Sequence, residues 1–344
     1  MVLPGRTPGR STKVQPSKMP ASVAELNTAL AGLAAEVGER LGGGRYVLPA
    51  GTLEVDETVQ IPGHVYLDGE GPGTVLLAAS GFTGNMVENA ATTDRRFGIR
   101  NLTLDGNGES CDGIFFNTPA GGGPEFADGM WRISDLLVVG TDNGVTLQGR
   151  GDGRVYGVDI RDSAQKGLVC ESPDNYLDGV IIGGAGSTGF EVSEANNRFT
   201  GCKAYYNGLT DATNGHAFWI HDTILCTFQS CEAQDATCHG FYLNGADHMD
   251  LQGVIADSNG AGHNSLSFTG HGVVVHNSDF NLVRARCRDR NANTTRQQWG
   301  LLLSGWTSVV SVDVMGQGNV LGTADNTTGN TISGRVNGVV GNIT

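Results

Sequence analysis

The sequence predicts an all-β solenoid, and three observations predict it together. An apolar position returns at Val138, Ile160, Ile182, Ala204, Ala233, Ala256, Cys287 and Val314, at intervals of 22, 22, 22, 29, 23, 31 and 27 residues. Such intervals are too short for helical-repeat pairs and too even for a sandwich, so each copy reads as one coil of a stack. Each copy also holds two short alternating segments. The first reads RISDLLV, RVYGVDI, YLDGVII, RFTGCKA, TFQSCEA, DLQGVIA, NLVRARC and SVVSVDV, and the second GVTLQG, GLVCES, GFEVSE, AFWIHD, GFYLNG, SLSFTG and GLLLSG. Alternation points one side chain in and the next out, and parallel stacking of like coils buries each inward column. Finally, 53 glycines in 344 residues suit a chain that turns tightly several times per coil.

The elements follow in order. Residues 1–20 carry Arg6, Arg10, Lys13 and Lys18, four prolines and no acid. They predict an extended basic arm, free to dock into a larger assembly, with no apolar run long enough for export or membrane insertion. Residues 21–44 open with a capping box, Ser22 and Glu25, and continue with Val23, Leu26, Leu30, Leu33, Val37 and Leu41 at helical spacing until Gly42, Gly43 and Gly44. This helix is expected to cover the open end of the solenoid, where a terminal coil would expose strand edges and core. Residues 45–314 form the coils, and the Asn-, Thr- and Gly-rich residues 315–344 a carboxy-terminal cap or oligomerisation segment. Asn207, Asn259 and Asn291 follow inward positions by three or four residues, where left-handed asparagines stack in a turn.

The helix followed by GGGRYVLPAG and VQIPGHVYLDGEGPGT resembles the amino-terminal signature of the right-handed parallel β-helix proteins of the pectate-lyase-like superfamily, phage tailspikes among them. The repeat pattern extends the resemblance over residues 21–320. It implies a right-handed parallel β-helix with an N-terminal capping α-helix. It also implies work on a polysaccharide, by a lyase, hydrolase or epimerase or by an adhesive virion protein. The catalytic motifs of a polygalacturonase and of a calcium-dependent pectate lyase are absent.

Charge narrows the partner. Lys and Arg number 22 against 36 Asp and Glu, a net −14 that argues against nucleic acid and anionic membrane and leaves a glycan. Of seven cysteines, Cys202, Cys231 and Cys287 fall on inward positions, and no C-x-x-C pair exists. They read as small core residues, with neither disulfide, metal nor cofactor expected.

A functional site on a solenoid is a column of outward residues on successive coils. The second segment gives Phe115, Thr146, Val169, Glu191, Trp219, Tyr242, Ser267 and Leu302, and beside them Asn117, Gln148, Glu171, Ser193, His221, Asn244, Thr269 and Ser304. Trp219, His221, Tyr242 and Asn244 are the expected substrate-binding residues, since aromatic faces stack on pyranose C–H groups. Glu171 and Glu191 lie one coil apart and two residues out of line, roughly 8 Å from strand spacing. That separation suits an acid and a base acting with inversion, so they are the expected catalytic pair if the protein is a depolymerase. Tyr206, Asp211, His216, Asp235 and His239 form an alternative polar cluster, with His216 stacked on His239 as a turn ladder. The first segment's outward column is Leu137, Asp159, Ile181, Lys203, Glu232, Ile255, Arg286 and Asp313, whose apolar members suggest a face covered by another subunit. The reading is a homotrimeric tailspike-like virion protein that docks through residues 1–20 and recognises, or also cleaves, a bacterial surface polysaccharide. The alternatives are a polysaccharide lyase, hydrolase or epimerase outside a virion, and a passive decoration protein.

Overall fold

The computed structural model describes residues 12–37, 43–90, 96–118, 131–260, 269–290, 297–307, 310–319, 321–326 and 332–337. Among them, one helix precedes a right-handed parallel β-helix whose coils contribute to two sheets, A with 18 strands and B with 11. Every pairing is parallel and joins each coil to the next, as in Arg154–Arg161 against Arg132–Val139 in sheet A and Leu168–Glu171 against Val145–Gly149 in sheet B. No described helix is long and apolar enough to cross a membrane.

In most coils the sheet A segment bends near its middle, and in some of them the bend divides it into two short strands. The bend residue is left-handed in each of seven coils, at Asn101, Asp135, Gly157, Gly179, Gly201, Ser230 and Gly253, with φ between 53° and 63°. A Cβ disfavours this conformation, which is why the column holds Gly or small polar residues. Cys202 and Cys231 follow the bend and turn their Sγ atoms towards the carbonyls of Leu177 and Phe199, both at 3.6 Å. All seven cysteines are buried and unpaired.

The inward positions pair in the expected order from Val138 through Ile160, Ile182, Ala204, Ala233 and Ala256 to Cys287. The last step differs. Cys287 faces Gly316 and Val314 faces Ala285, a shift of two residues that also sets Arg286 against Met315 and Asp313 against Arg284. Pairing skips Gly253, so the bend ends there and Leu282–Arg288 runs straight. Val312 and Val314 both point inward, so alternation fits either register, and the turn decides it. Asn319 closes that turn by accepting from Gln297 Nε2 at 2.7 Å and donating to the Cys287 carbonyl at 3.4 Å. Gln297 in turn accepts from Asn259 Nδ2 at 3.1 Å, thereby joining the polar ladder above Asn259. Asn291 lies outside the described residues.

Sheet B departs from expectation in one coil. Val273–His276 forms the strand, so Val274 occupies the place expected for Ser267 and His276 that expected for Thr269. Three successive β-branched valines favour a strand, and Val273 and Val275 are fully buried. Ser267 lies outside the described residues. Inside this sheet, Phe190, Phe218 and Phe241 stack at centroid separations of 4.6 and 4.5 Å, and across the core in sheet A Phe199 stacks on Phe228 at 4.6 Å.

The first coil is closed in two ways. Val23, Leu26, Leu30, Leu33 and Val37 of the helix Val23–Val37 are buried, and Leu41 lies outside the described residues. The capping box forms, with Ser22 Oγ accepting from Glu25 N at 3.2 Å and Glu25 Oε2 accepting from Ala21 N at 2.7 Å. The helix also satisfies an open strand edge: Asn27 donates to the Thr58 carbonyl at 3.0 Å and accepts from Gln60 N at 2.9 Å. Within the basic amino-terminal segment, Thr12–Val14 is a strand paired with Gly44–Tyr46 at the edge of sheet A.

Candidate functional site

The outward face of sheet B sets Val169, Glu191, Trp219 and Tyr242 in one column, with Glu171 next to Gln148 and His221 next to Asn244 in the column beside it. Two residues before the first inward position of each strand, the turn adds a further column containing Lys166, Thr188, His216, His239 and His271. These columns meet around Glu191. Although outward-facing, its side chain is 8% exposed, because Lys166 and His221 close over it. Lys166 Nζ lies 2.5 Å from Glu191 Oε2, and His221 Nε2 lies 3.5 Å from Glu191 Oε1. His221 Nδ1 is 3.2 Å from the exposed Asp222 carboxylate, and the Trp219 ring covers the imidazole at 4.3 Å.

Burial alone raises the pKa of Glu191, but hydrogen bonding to His221 and Lys166 outweighs it and the net direction is down. The same carboxylate raises the pKa of His221 against the opposing effect of burial, and Asp222 adds to the rise. The site therefore favours a carboxylate beside an imidazolium. Trp219 Nε1 is buried without a hydrogen-bond partner among the described residues. Glu171 accepts from Gln148 Nε2 at 2.5 Å, so the two expected catalytic carboxylates belong to separate hydrogen-bonded groups.

The alternative cluster is resolved into its parts. His216, His239 and His271 stack at 5.2 and 5.1 Å. Each Nδ1 accepts a backbone N–H from the next coil: His239 N at 3.4 Å, His271 N at 3.2 Å and Trp299 N at 3.2 Å. Burial pushes His216 down to about 3, His271 to about 4 and His239 well below its ordinary value. His216, Cys238 and His239 have donor atoms within 4.8 Å of one another, the spacing of a metal site. Their chemistry fits a metal poorly: the Nδ1 lone pairs are committed to backbone, and burial pushes the Cys238 thiol up to about 12. The ladder instead supports Tyr242, whose ring lies 4.8 Å from His216 and 5.3 Å from His239.

The remaining members turn to other partners. Asp211 is held ionised chiefly by Asn214 Nδ2 at 2.7 Å and also accepts from Thr213 N at 3.1 Å, capping its own turn. Asp235 accepts from Gln234 Nε2 at 2.7 Å. Tyr206, left-handed with φ 53°, meets Tyr205 edge to face at 5.6 Å. Tyr205, Tyr206, Arg161 and Leu209 line an open cleft of about 380 Å³.

A family model described as the right handed beta helix region matches residues 126–312, more than half of the chain. The chain belongs to that family. Among solved structures, the β-helix is similar to the Azotobacter vinelandii mannuronan C-5 epimerase AlgE6 A-module, with 17% identity, 94% of each chain covered and a TM-score of 0.65. It is similar to ORF18 of Geobacillus virus E2 at 16% identity, covering 91% of this chain and 58% of that one, with a TM-score of 0.56. A further likeness is to the catalytic domain of a GH87 α-1,3-glucanase in complex with nigerose, at 12% identity, 97% and 70% coverage and a TM-score of 0.56. No curated protein matches in sequence.

On this β-helix, sequence reasoning missed Lys166, Asp222 and His271. The signal for two of them was present. Lys166 and His271 occupy the same place as His216 and His239, two residues before an inward position, in KGL, HGV, HAF and HGF.

Proposed function

We propose that the chain is a glycan-recognising solenoid of the tailspike type, which binds a bacterial surface polysaccharide along sheet B. The observation that carries this is the platform of Trp219 and Tyr242 beside the Lys166, Glu191, His221 and Asp222 group: two aromatic faces next to charged hydrogen-bonding groups, the composition of a sugar site. Asn244, paired with His221 across the coils, extends the polar side of the site. A trimer, docking through residues 1–20 and a virion location complete the reading. The mannuronan epimerase and glucanase structures, together with the viral ORF18, support the use of this fold for such a role.

Cleavage is the second reading, and the depressed pKa of Glu191 favours one assignment within it. A carboxylate held ionised serves as base, with Glu171 as the second carboxylate of the pair. The test is incubation of the purified protein with capsular and cell-wall polysaccharides, followed by size analysis and absorbance in the unsaturated-uronate band. Binding without shortening, lost in Trp219→Ala and Tyr242→Ala, is the expected result. Shortening that disappears in Glu191→Gln establishes the hydrolase reading, and shortening with new absorbance a lyase. Undiminished binding by both aromatic variants overturns the site.

A further inference from the structure

Sheet A carries a second column whose chemistry differs from the first. Arg132, Arg154, Tyr176 and Arg198 face one another on four successive coils, and all four are exposed. Arg154 and Arg198 lie over the Tyr176 ring from either side, at 4.8 and 5.3 Å from its centroid. Tyr156, 36% exposed, stands in the adjacent column. None of the three arginines forms an ion pair among the described residues. Nearer the amino terminus of the same sheet the arrangement is the opposite, where the buried Asp68 carboxylate receives both Arg45 and Arg100 from the coils on either side.

Like charges directly opposed across a sheet work against folding, and Arg132 faces Arg154 with nothing between them. On a chain of net −14, three aligned arginines that form no ion pair among the described residues, with only the charge of Asp152 felt near Arg154, are therefore an expense of stability that the fold itself does not require. Their geometry matches one kind of ligand. The rungs repeat once per coil, about 4.8 Å apart, and the cation–π contacts hold the guanidiniums in place before anything binds. Guanidinium is also the side chain best shaped to take a carboxylate through two hydrogen bonds.

We propose that the Arg132, Arg154, Tyr176 and Arg198 column is a second glycan-contact surface, one that binds the carboxylates of a uronate-containing polysaccharide lying along the solenoid axis. This rests on the glycan reading above, extends it to a separate face and specifies an acidic chain. Tyr156 offers its ring to the sugar faces between the charges. An acidic protein segment lacks that regular spacing of anion and flat apolar ring, so the column favours the glycan.

The experiment measures binding of the full chain to polygalacturonate, with dextran, poly-glutamate and single-stranded DNA of similar length as comparators. Polygalacturonate is expected to bind, with affinity falling roughly tenfold or more between about 50 and 200 mM salt. Arg154→Gln with Arg198→Gln is expected to weaken it by about tenfold or more. Thr227→Arg, which adds a cation on the next rung, is expected to tighten it and gives a readout that does not depend on the double variant folding. Equal binding to dextran, to poly-glutamate or to DNA overturns the proposal, as does polygalacturonate binding lost in Trp219→Ala and kept in the arginine variant. If Trp219→Ala keeps every glycan interaction, the sheet B site fails while this column stands.

Discussion

At Glu191 on sheet B a buried carboxylate is met by Lys166 and His221, whereas on sheet A Arg132, Arg154 and Arg198 share one column and form no ion pair among the described residues. Both faces are built from the same repeated backbone, so the repeat sets where side chains stand and leaves their charge open. The pairing on sheet B follows burial. A carboxylate that is 8% exposed requires partners in order to remain charged, while exposed arginines are solvated without any. Charge is thus part of the structure on one face and available to a ligand on the other.

The largest expected effect tests the first half of that contrast. Lys166→Met removes the cation nearest Glu191 and leaves a buried charge with one partner, at a cost of roughly 1–3 kcal/mol. Urea denaturation should show a lower midpoint with an unchanged slope, and adding Glu191→Gln should recover most of the loss. A loss no larger than that of an exposed arginine would show that Glu191 is not held by this pair.

A second test uses pH and has opposite signs in two places. The lowered pKa of Glu191 contributes stability that is present above its unfolded value, about 4.3, and is lost as pH falls through the folded value. The raised pKa of His221 contributes stability that is present below about 6.5 and is lost as pH rises through the folded value. The coupling between them, from a Glu191→Gln and His221→Gln cycle, should therefore be largest between these limits and decline in alkali. The histidine ladder behaves differently. His216 and His271 remain neutral down to about 3 and about 4, so the unfolded chain takes up protons first and stability falls as pH drops below about 6.5. His271→Asn should flatten that acid slope in a thermal melt series.

The same separation of backbone from charge explains what was legible in the sequence. The coil, its register through Cys287, the inward columns and the capping box follow from periodicity and local hydrogen bonding, and Trp219, Tyr242 and His221 stand beside one another as their spacing implies. Register slipped where alternation gave two equal answers, at Val312 and Val314, and an asparagine in the turn chose between them. The strand at Val273 was displaced because SLSFTG alternates as well as GVVVH does. The burial of Glu191 does not show in the outward column alone, because its cover comes from Lys166, which lies in a turn outside both strands. The arginine column was visible in the aligned segments RISDLLV, RVYGVDI, YLDGVII and RFTGCKA, whose first letters are R, R, Y and R.

The smallest expected effect is the sharpest test of the other half of the contrast. If the sheet A cations serve a ligand and the fold gains nothing from them, Arg154→Gln should change stability by no more than about 0.5 kcal/mol in either direction. Two contributions oppose each other. The substitution loses a cation–π contact with Tyr176, worth about 0.5–1 kcal/mol at an exposed site, and it relieves repulsion from Arg132 across the ladder, a term of similar size. Raising the salt concentration separates the two, because screening weakens the repulsion between exposed charges more than it weakens a ring contact made at short range. Arg154→Gln should therefore be neutral or slightly stabilising at low salt and slightly destabilising at high salt, read from urea midpoints at the two concentrations. A clear loss at low salt would mean that the column holds the coils together, and the two faces would then differ in degree only.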